Sequence, residues 1–134
     1  MKALPVPVEQ VPTLWPHVEG WFQAAIEKGD RWWTIEEAYR RACLGQLAMW
    51  VAANDDHNIV GAALCEISDY SDRKVCHVAL MGGRGLKGLV SVLPKIEAWA
   101  KWRGCSESII RGRKGWQRAL PDYRPAFVEL SKRI

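Results

Sequence analysis

The segment from Arg73 to Trp116 constrains the fold more than any other part of this chain. It reads as an apolar strand (Val75–Met81), a turn containing Gly82, Gly83, Gly85 and Gly88, an amphipathic helix and a short second strand. A strand that passes through glycines into a helix leaves free backbone N–H groups beside the positive end of a helix dipole. Such a turn is suited to holding a phosphate or a pyrophosphate.

The length and composition are those of one globular domain. The chain has 134 residues, of which 49% are hydrophobic and 25% are charged, and we interpret residues 1–134 as a single domain. No apolar run reaches the ~20 residues that cross a bilayer, and residues 1–10 lack the apolar core of a signal peptide. We therefore expect a cytoplasmic protein with no membrane partner.

The cysteines are expected in the interior, whereas some of the tryptophans are expected at the surface. The four cysteines (Cys43, Cys65, Cys76, Cys105) form neither a C-x-x-C pair nor a zinc-ligand spacing with histidine, so we expect buried free thiols and no metal. Eight tryptophans exceed what a core of this size can enclose. Some are expected at the surface, as ligand contacts, as partner contacts or as caps on the core edge, and exposed Trp32 and Trp33 would suit a homo-oligomer or another protein partner.

Positive charge is concentrated towards the C-terminus. From Lys101 onwards there are nine Lys/Arg and three Asp/Glu, a net of +6, whereas the first hundred residues carry ten basic and twelve acidic residues, a net of −2. This asymmetry indicates an anion-facing end. The anion is a cofactor phosphate, a nucleic acid or an acidic partner.

The apolar pattern alternates between helical and strand periods, separated by polar or glycine-containing turns. The predicted order is an extended arm or strand within residues 1–12, a helix capped by Thr13 and ended by Gly29, a helix capped by Thr34 and ended by Gly45, strands at Leu47–Ala53, Ile59–Ile67 and Val75–Met81, a helix kinked or restarted at Pro94 and ended by Gly104, a strand at Ser108–Ile110, a short helix at Gly112–Leu120 and a last strand at Ala126–Leu130. The three consecutive strands predict an antiparallel meander, and the strand–helix–strand unit predicts a parallel crossover. The predicted fold class is α/β with a mixed sheet and helices on both faces.

This order of elements, with a glycine-rich turn directly after the fourth strand, resembles the GNAT superfamily of acetyl-CoA-dependent N-acyltransferases. The topology covers nearly the whole chain, whereas the motif resemblance is confined to Val75–Tyr123. The tail IEAWAKWRGCSESIIRGRKGWQRAL is similar to that of small phage- and prophage-encoded members. The resemblance implies acetyl-coenzyme A as cofactor, with its pyrophosphate on the turn and its pantetheine arm between splayed parallel strands.

The resemblance also implies which residues hold the cofactor. The family's turn places glycines three and five residues after a basic residue, and GGRGLKGL departs from that spacing by one. Glycine at such positions permits close backbone approach. The candidate cofactor-binding residues are Met81, Gly82, Gly83, Arg84, Gly85, Lys87 and Gly88, together with Arg113 from the RGRKGW run.

Acyl transfer to an amine needs a base for the amine and an acid for the leaving thiolate. Glu66 and Asp69 at the end of the third strand are candidate bases, as is His77 on the fourth, since an imidazole titrates near neutral pH. The apolar neighbours of His77 turn it either towards the cofactor cleft or towards the covering helices. A core histidine is the alternative interpretation.

In many members of the family, the tyrosine that acts as general acid stands three residues before a Gly-Phe pair. In the matching stretch RALPDYRPAF that position falls on Ala119 or Leu120, whose side chains cannot donate a proton. Tyr123 is the nearest candidate acid. The catalytic candidates are therefore Glu66, His77 and Tyr123.

Three functions remain open from the sequence. The first is an N-acyltransferase acting on a small-molecule or protein amine. The second is a catalytically inactive GNAT-fold phage protein that serves as a virion-associated or protein-binding module, in the host cytoplasm or in the virion. The third is a nucleic-acid-binding accessory protein that uses the RGRKGW run, which also fits a solvated charged face.

Overall fold

The computed structural model describes residues 1–29, 32–85, 90–111, 116–126 and 128–134. The elements are β1 (Lys2–Val6), a 3-10 turn (Val8–Gln10), α1 (Val11–Lys28), α2 (Ile35–Cys43), β2 (Ala48–Ala53), β3 (Ile59–Asp69), β4 (Lys74–Gly83), α3 (Leu93–Trp102), β5 (Glu107–Ile110) and α4 (Trp116–Ala119). The sheet order is β1-β2-β3-β4-β5, with antiparallel pairs from β1 to β4 and a parallel β4–β5 pair. The predicted mixed α/β sheet is confirmed.

Two apolar layers cover the two faces of this sheet. Helices α1 and α2 bury one face, with side chains that include Val18, Phe22 and Ala38 against Leu64 and Leu80. Helix α3 and Leu120 bury the other face, which carries Trp50, Cys65, Cys76, Val78 and Met81. Because successive strand residues point to opposite faces, His77 points to the α1/α2 side. Helices cover both faces, as predicted, and strand β4 is buried for most of its length.

The first helix begins earlier than its sequence suggests. Helix α1 starts at Val11 with a proline in its first turn, and Gln10 rather than Thr13 is its N-cap, so the predicted cap was wrong. Proline is favoured there because its missing N–H would be unpaired in the first turn anyway. The predicted end is confirmed, since Gly29 donates its backbone N–H to Ala25 O at 2.9 Å.

The second helix has the predicted cap, and its removal is testable. Thr34 Oγ1 accepts the backbone N–H of Glu37 at 3.2 Å. Losing such a cap costs about 1 kcal/mol. We expect Thr34→Ala to lower the free energy of unfolding by that amount in urea melts. Thr13→Ala is the matched control and should change stability by less than ~0.5 kcal/mol, since the exposed Thr13 caps nothing. Equal losses in the two variants would contradict the assignment of the caps.

Two predicted boundaries differ from the structure. Gly82 and Gly83 lie in strand β4, opposite Ala62 and Gly61 of β3, rather than in a turn. The predicted last strand at Ala126–Leu130 is also wrong for its described residues, which form no strand. Val128 and Leu130 are 83% and 90% exposed. These alternating apolar side chains are therefore not buried against a core, and a strand here would lack the packing that favours it.

The remaining predictions near the C-terminal half are largely confirmed. Val90 is helical and is followed by a turn at Ser91 and Val92, and helix α3 then begins at Leu93 with Pro94 in its first turn, which agrees with the predicted restart at Pro94. Gly104, at φ 91, follows its last turn. Strand β5 lies within one residue of its predicted start. Of the predicted short helix, Trp116–Ala119 is helical, and residues 112–115 are outside the described ranges.

Candidate functional site

Strand β4 continues beyond its parallel neighbour, and we call its β5 side beyond Val78, which has no strand partner among the described residues, the gap. It pairs with β5 only from Val75 to Val78, yet it runs on to Gly83 beside β3. The pairing with β3 shifts between Val78 and Leu80, so Ala79 is an extra residue, a β-bulge. Bulges bend a strand and often lie next to active sites. Among the described residues, no strand pairs with the β5 side of β4 after the bulge.

The backbone direction of this extension follows from one hydrogen bond. Arg84 donates its N–H to Val60 O of β3 at 2.8 Å. Because N–H groups alternate along an antiparallel strand, Gly82 also faces β3, and the amides of Met81 and Gly83 face the gap. The cofactor-site candidates therefore divide into two sets. The amides at 81 and 83 are aimed at the gap, whereas the amide of Arg84 already has a partner within the sheet.

The glycines serve different purposes. A Cβ placed on Gly82 would lie 2.7 Å from Trp21 Cβ and 2.9 Å from Trp21 O, so close packing of α1 explains this glycine. Gly85 has φ +71, and a Cβ added there would meet nothing within 4 Å, so it combines a left-handed backbone with open space. Lys87, Gly88 and Arg113, the other predicted cofactor contacts, lie outside the described residues.

Glu66 and His77 are brought together on the α1/α2 face. They are directly opposite each other in the β3–β4 register. His77 Nε2 lies 3.4 Å from the hydroxyl of Tyr70, which sits at the hairpin end between the two strands. The predicted pair of candidate bases is thus a cross-strand pair, and Tyr70 is a neighbour that the sequence did not indicate. Asp69 instead pairs with Lys74, at 3.8 Å between Oδ1 and Nζ.

The surroundings of His77 favour its neutral form. Partial burial lowers the pKa of this imidazole, and the positive charge of Arg111 lowers it further. The carboxylates of Glu66 and Glu107 act in the opposite direction without reversing the result. A neutral imidazole at pH 7 can accept a proton, which is what a general base requires.

Arg41 of α2 connects the helix layer to this pair. Its Nη1 lies 3.8 Å from Glu66 Oε1, and its Nε donates to Glu37 Oε1 at 3.1 Å. The guanidinium carbon is 5.2 Å from the ring centroid of Trp33, within cation–π range. Two carboxylates and an aromatic ring therefore hold one cation beside the candidate base.

Tyr123 lies on the other face of the sheet. Its hydroxyl donates to Glu97 Oε2 at 2.6 Å and lies 3.0 Å from Ser108 Oγ, whose own hydroxyl can donate in return. Burial, followed by the bond to Glu97, raises the pKa of this phenol far above its ordinary value. Its proton is thus directed at Glu97, and the structure does not bring Tyr123 to Glu66 and His77.

A groove of about 1220 Å³ borders the far side of β5. Residues from Cys105 to Arg111 line it, together with the end of α1 and two tryptophans, Trp32 and Trp116. Its volume exceeds the ~300–1,000 Å³ of ordinary small-molecule sites. The expectation that some tryptophans reach the surface is confirmed by Trp32 and Trp102, which are exposed, whereas Trp33 is partly buried against the α1/α2 layer.

Known structures share this arrangement of strands and helices over their full length. An aminoglycoside acetyltransferase from an uncultured soil metagenomic sample, in complex with sisomicin, superposes with a TM-score of 0.70, at 13% identity over 99% of this chain and 95% of that one. The ribosomal-protein-alanine N-acetyltransferase of Brucella melitensis biovar Abortus 2308 gives 0.65, at 12% identity over 100% and 98%. An acetyltransferase of Trypanosoma brucei gives 0.67, at 11% identity over 99% of both chains. The chain has a GNAT-like fold.

The likeness to GNAT acetyltransferases is one of shape. No family model matches the sequence, and no curated protein matches it. Among the described residues, no helix combines the length and the apolar character needed to cross a membrane.

Proposed function

We propose that this protein is an N-acyltransferase that moves an acetyl group from acetyl-coenzyme A to an amine. The observation that carries the proposal is the extension of β4 past Val78, with the amides of Met81 and Gly83 directed at the gap beside β5. These donors suit the amide and carbonyl oxygens of an extended pantetheine arm. The open space beside Gly85 and the exposed Arg84 side chain suit a phosphate at the end of that arm.

In the proposed reaction the amine nitrogen attacks the acetyl carbonyl carbon. The C–N bond forms, the C–S bond breaks, and the coenzyme leaves as its thiolate. A backbone N–H in the bulged segment Ala79–Met81 would stabilise the oxyanion of the tetrahedral intermediate. The amine proton goes to neutral His77, with Glu66 as the second candidate base, directly or through water. The thiolate takes a proton from water, and the protonated base returns a proton to that water, because Tyr123 would first have to leave Glu97 to act as the acid.

The proposed acceptor is an amine of a small molecule or of a protein. The groove beside β5 is lined by neither Glu66 nor His77, so its size does not decide between the two classes. The neighbour in complex with sisomicin favours a small molecule by analogy of fold alone.

Cofactor binding is tested first by thermal melting. Acetyl-coenzyme A at 100 times its Kd should add about 2.7 kcal/mol of stability. Gly83→Val should abolish the shift, because the new side chain crowds a gap-facing amide, and each variant is compared with its own ligand-free melt. His77→Asn is the matched control: it leaves the amides intact and should keep the full shift.

The outcomes separate the interpretations. No shift at millimolar acetyl-coenzyme A in the native protein would exclude the enzyme and favour the GNAT-fold binding module. A shift that survives Gly83→Val would keep the cofactor and reject its proposed position beside β4.

A further inference from the structure

The cross-strand pair Glu66 and His77 carries an unexpected feature. Residues directly opposite on one face have Cβ atoms about 4.5–5.5 Å apart, so a carboxylate and an imidazole there can normally form an ion pair. Glu66 Oε1 instead lies 3.8 Å from Arg41 Nη1, and the His77 ring nitrogen lies 3.4 Å from the Tyr70 hydroxyl. The carboxylate is thus turned towards helix α2.

The position of Arg41 is fixed from the opposite side. Its Nε donates to Glu37, and its guanidinium lies over Trp33. Hydrogen bonds from Arg40 and Arg41 lower the pKa of Glu37 to about 2, so this anchor is a carboxylate at every pH at which His77 titrates. Arg41 is therefore held by Glu37 and Trp33 on one side while it contacts Glu66 on the other.

The other groups around His77 come from each neighbouring element. Strand β3 supplies Glu66, the hairpin supplies Tyr70, and β5 with the residue after it supplies Glu107 and Arg111. Helix α1 turns an apolar buried face to the sheet. Among these groups, Glu66 is the carboxylate directly opposite His77, and Arg41 is the cation that contacts the Glu66 carboxylate.

We propose that Arg41 is a positioning residue that draws Glu66 away from His77 and so keeps the imidazole uncharged and ready to accept a proton. This inference rests on the proposed function for its consequence in catalysis. The competition between the Arg41 cation and the His77 imidazole for the Glu66 carboxylate is independent of the proposed function.

The test is an NMR titration of His77, whose ring signal is assigned by its loss in His77→Asn. In Arg41→Met, Glu66 is released to pair with His77, so the titration midpoint should move to higher pH. Arg41→Lys, which keeps the cation, should restore most of the native midpoint. Arg40→Met is the matched control, because Arg40 also bonds Glu37 but has no described contact with Glu66. It should leave the midpoint unchanged.

The double variant Arg41→Met/Glu66→Gln decides the mechanism. With no carboxylate to release, it should lack the upward shift seen in Arg41→Met. An unchanged midpoint in Arg41→Met, or an equal rise in the double variant, would overturn the inference whatever happens to activity.

Acetyl transfer to an amine is then measured against pH. If His77 is the base, Arg41→Met should lose activity near pH 6.5, by at most about fivefold for a midpoint raised by one pH unit, and recover at pH 8.5. A raised midpoint with an unmoved pH–rate profile would uphold the role of Arg41 and reject His77 as the base. The two proposals therefore fail separately.

Discussion

His77→Asn is expected to lower kcat for acetyl transfer by about 100-fold or more, the usual contribution of a general base. Asparagine keeps a polar side chain of similar reach on β4 but cannot take up a proton at neutral pH. KM for acetyl-coenzyme A should stay near its native value, because the proposed cofactor contacts, at Met81, Gly83 and Arg84, lie beyond the bulge and do not include His77. The measurement is steady-state kinetics at saturating acetyl-coenzyme A.

The pH dependence of stability and of rate provides the control for the role of His77. Since the folded-state pKa of His77 lies below its ordinary 6.5, the folded protein binds fewer protons than the unfolded chain just below that pH. Stability from this group is present above pH 6.5 and is lost as the pH falls through the folded pKa. His77→Asn should flatten that part of the stability curve and remove the acidic limb of the rate profile. An acidic limb that persists unchanged in His77→Asn would reject His77 as the base.

The meander could be predicted because its signals are local. The turn between β2 and β3 is held by Asn54, whose side-chain oxygen accepts the N–H groups of Asp56 and Asn58 at 3.0 and 2.9 Å. Asparagine followed by polar residues between two apolar runs indicates such a turn from sequence alone. The same holds for the Thr34 cap, whose donor is three residues away.

The candidate site depends on relations that no local pattern contains. The opposition of Glu66 and His77 requires the β3–β4 register, and a one-residue slip would place the two side chains on opposite faces. The contact between Arg41 and Glu66 joins positions 25 residues apart in sequence, on a helix and a strand that pack only in the folded chain. Tyr123 was a candidate acid by sequence position, but its bond to Glu97 crosses from the tail to α3.

Gly82→Ala is expected to destabilise the fold by about 1–3 kcal/mol, the usual cost of overpacking. The added methyl would lie 2.7 Å from Trp21 Cβ and 2.9 Å from Trp21 O, distances that real Cβ atoms essentially never show. Both atoms belong to the rigid part of α1, so the helix must move as a body. Gly20→Ala, one residue before Trp21, is the matched control: its Cβ meets nothing within 4 Å, so it should raise helix stability. Urea melts of both variants test the contrast.

The same variant distinguishes a structural glycine from a ligand-contacting one. If Gly82 were needed for close approach of a phosphate, Gly82→Ala would lose the acetyl-coenzyme A shift and keep its ligand-free stability. Packing against Trp21 predicts the reverse, a lower ligand-free melting temperature with the shift retained, because the amide of Gly82 faces β3. Trp21→Ala should not rescue the variant, since alanine keeps both the Cβ and the carbonyl oxygen that the methyl meets. Rescue by Trp21→Ala would mean that the indole, and not the α1 backbone, sets the spacing between helix and strand.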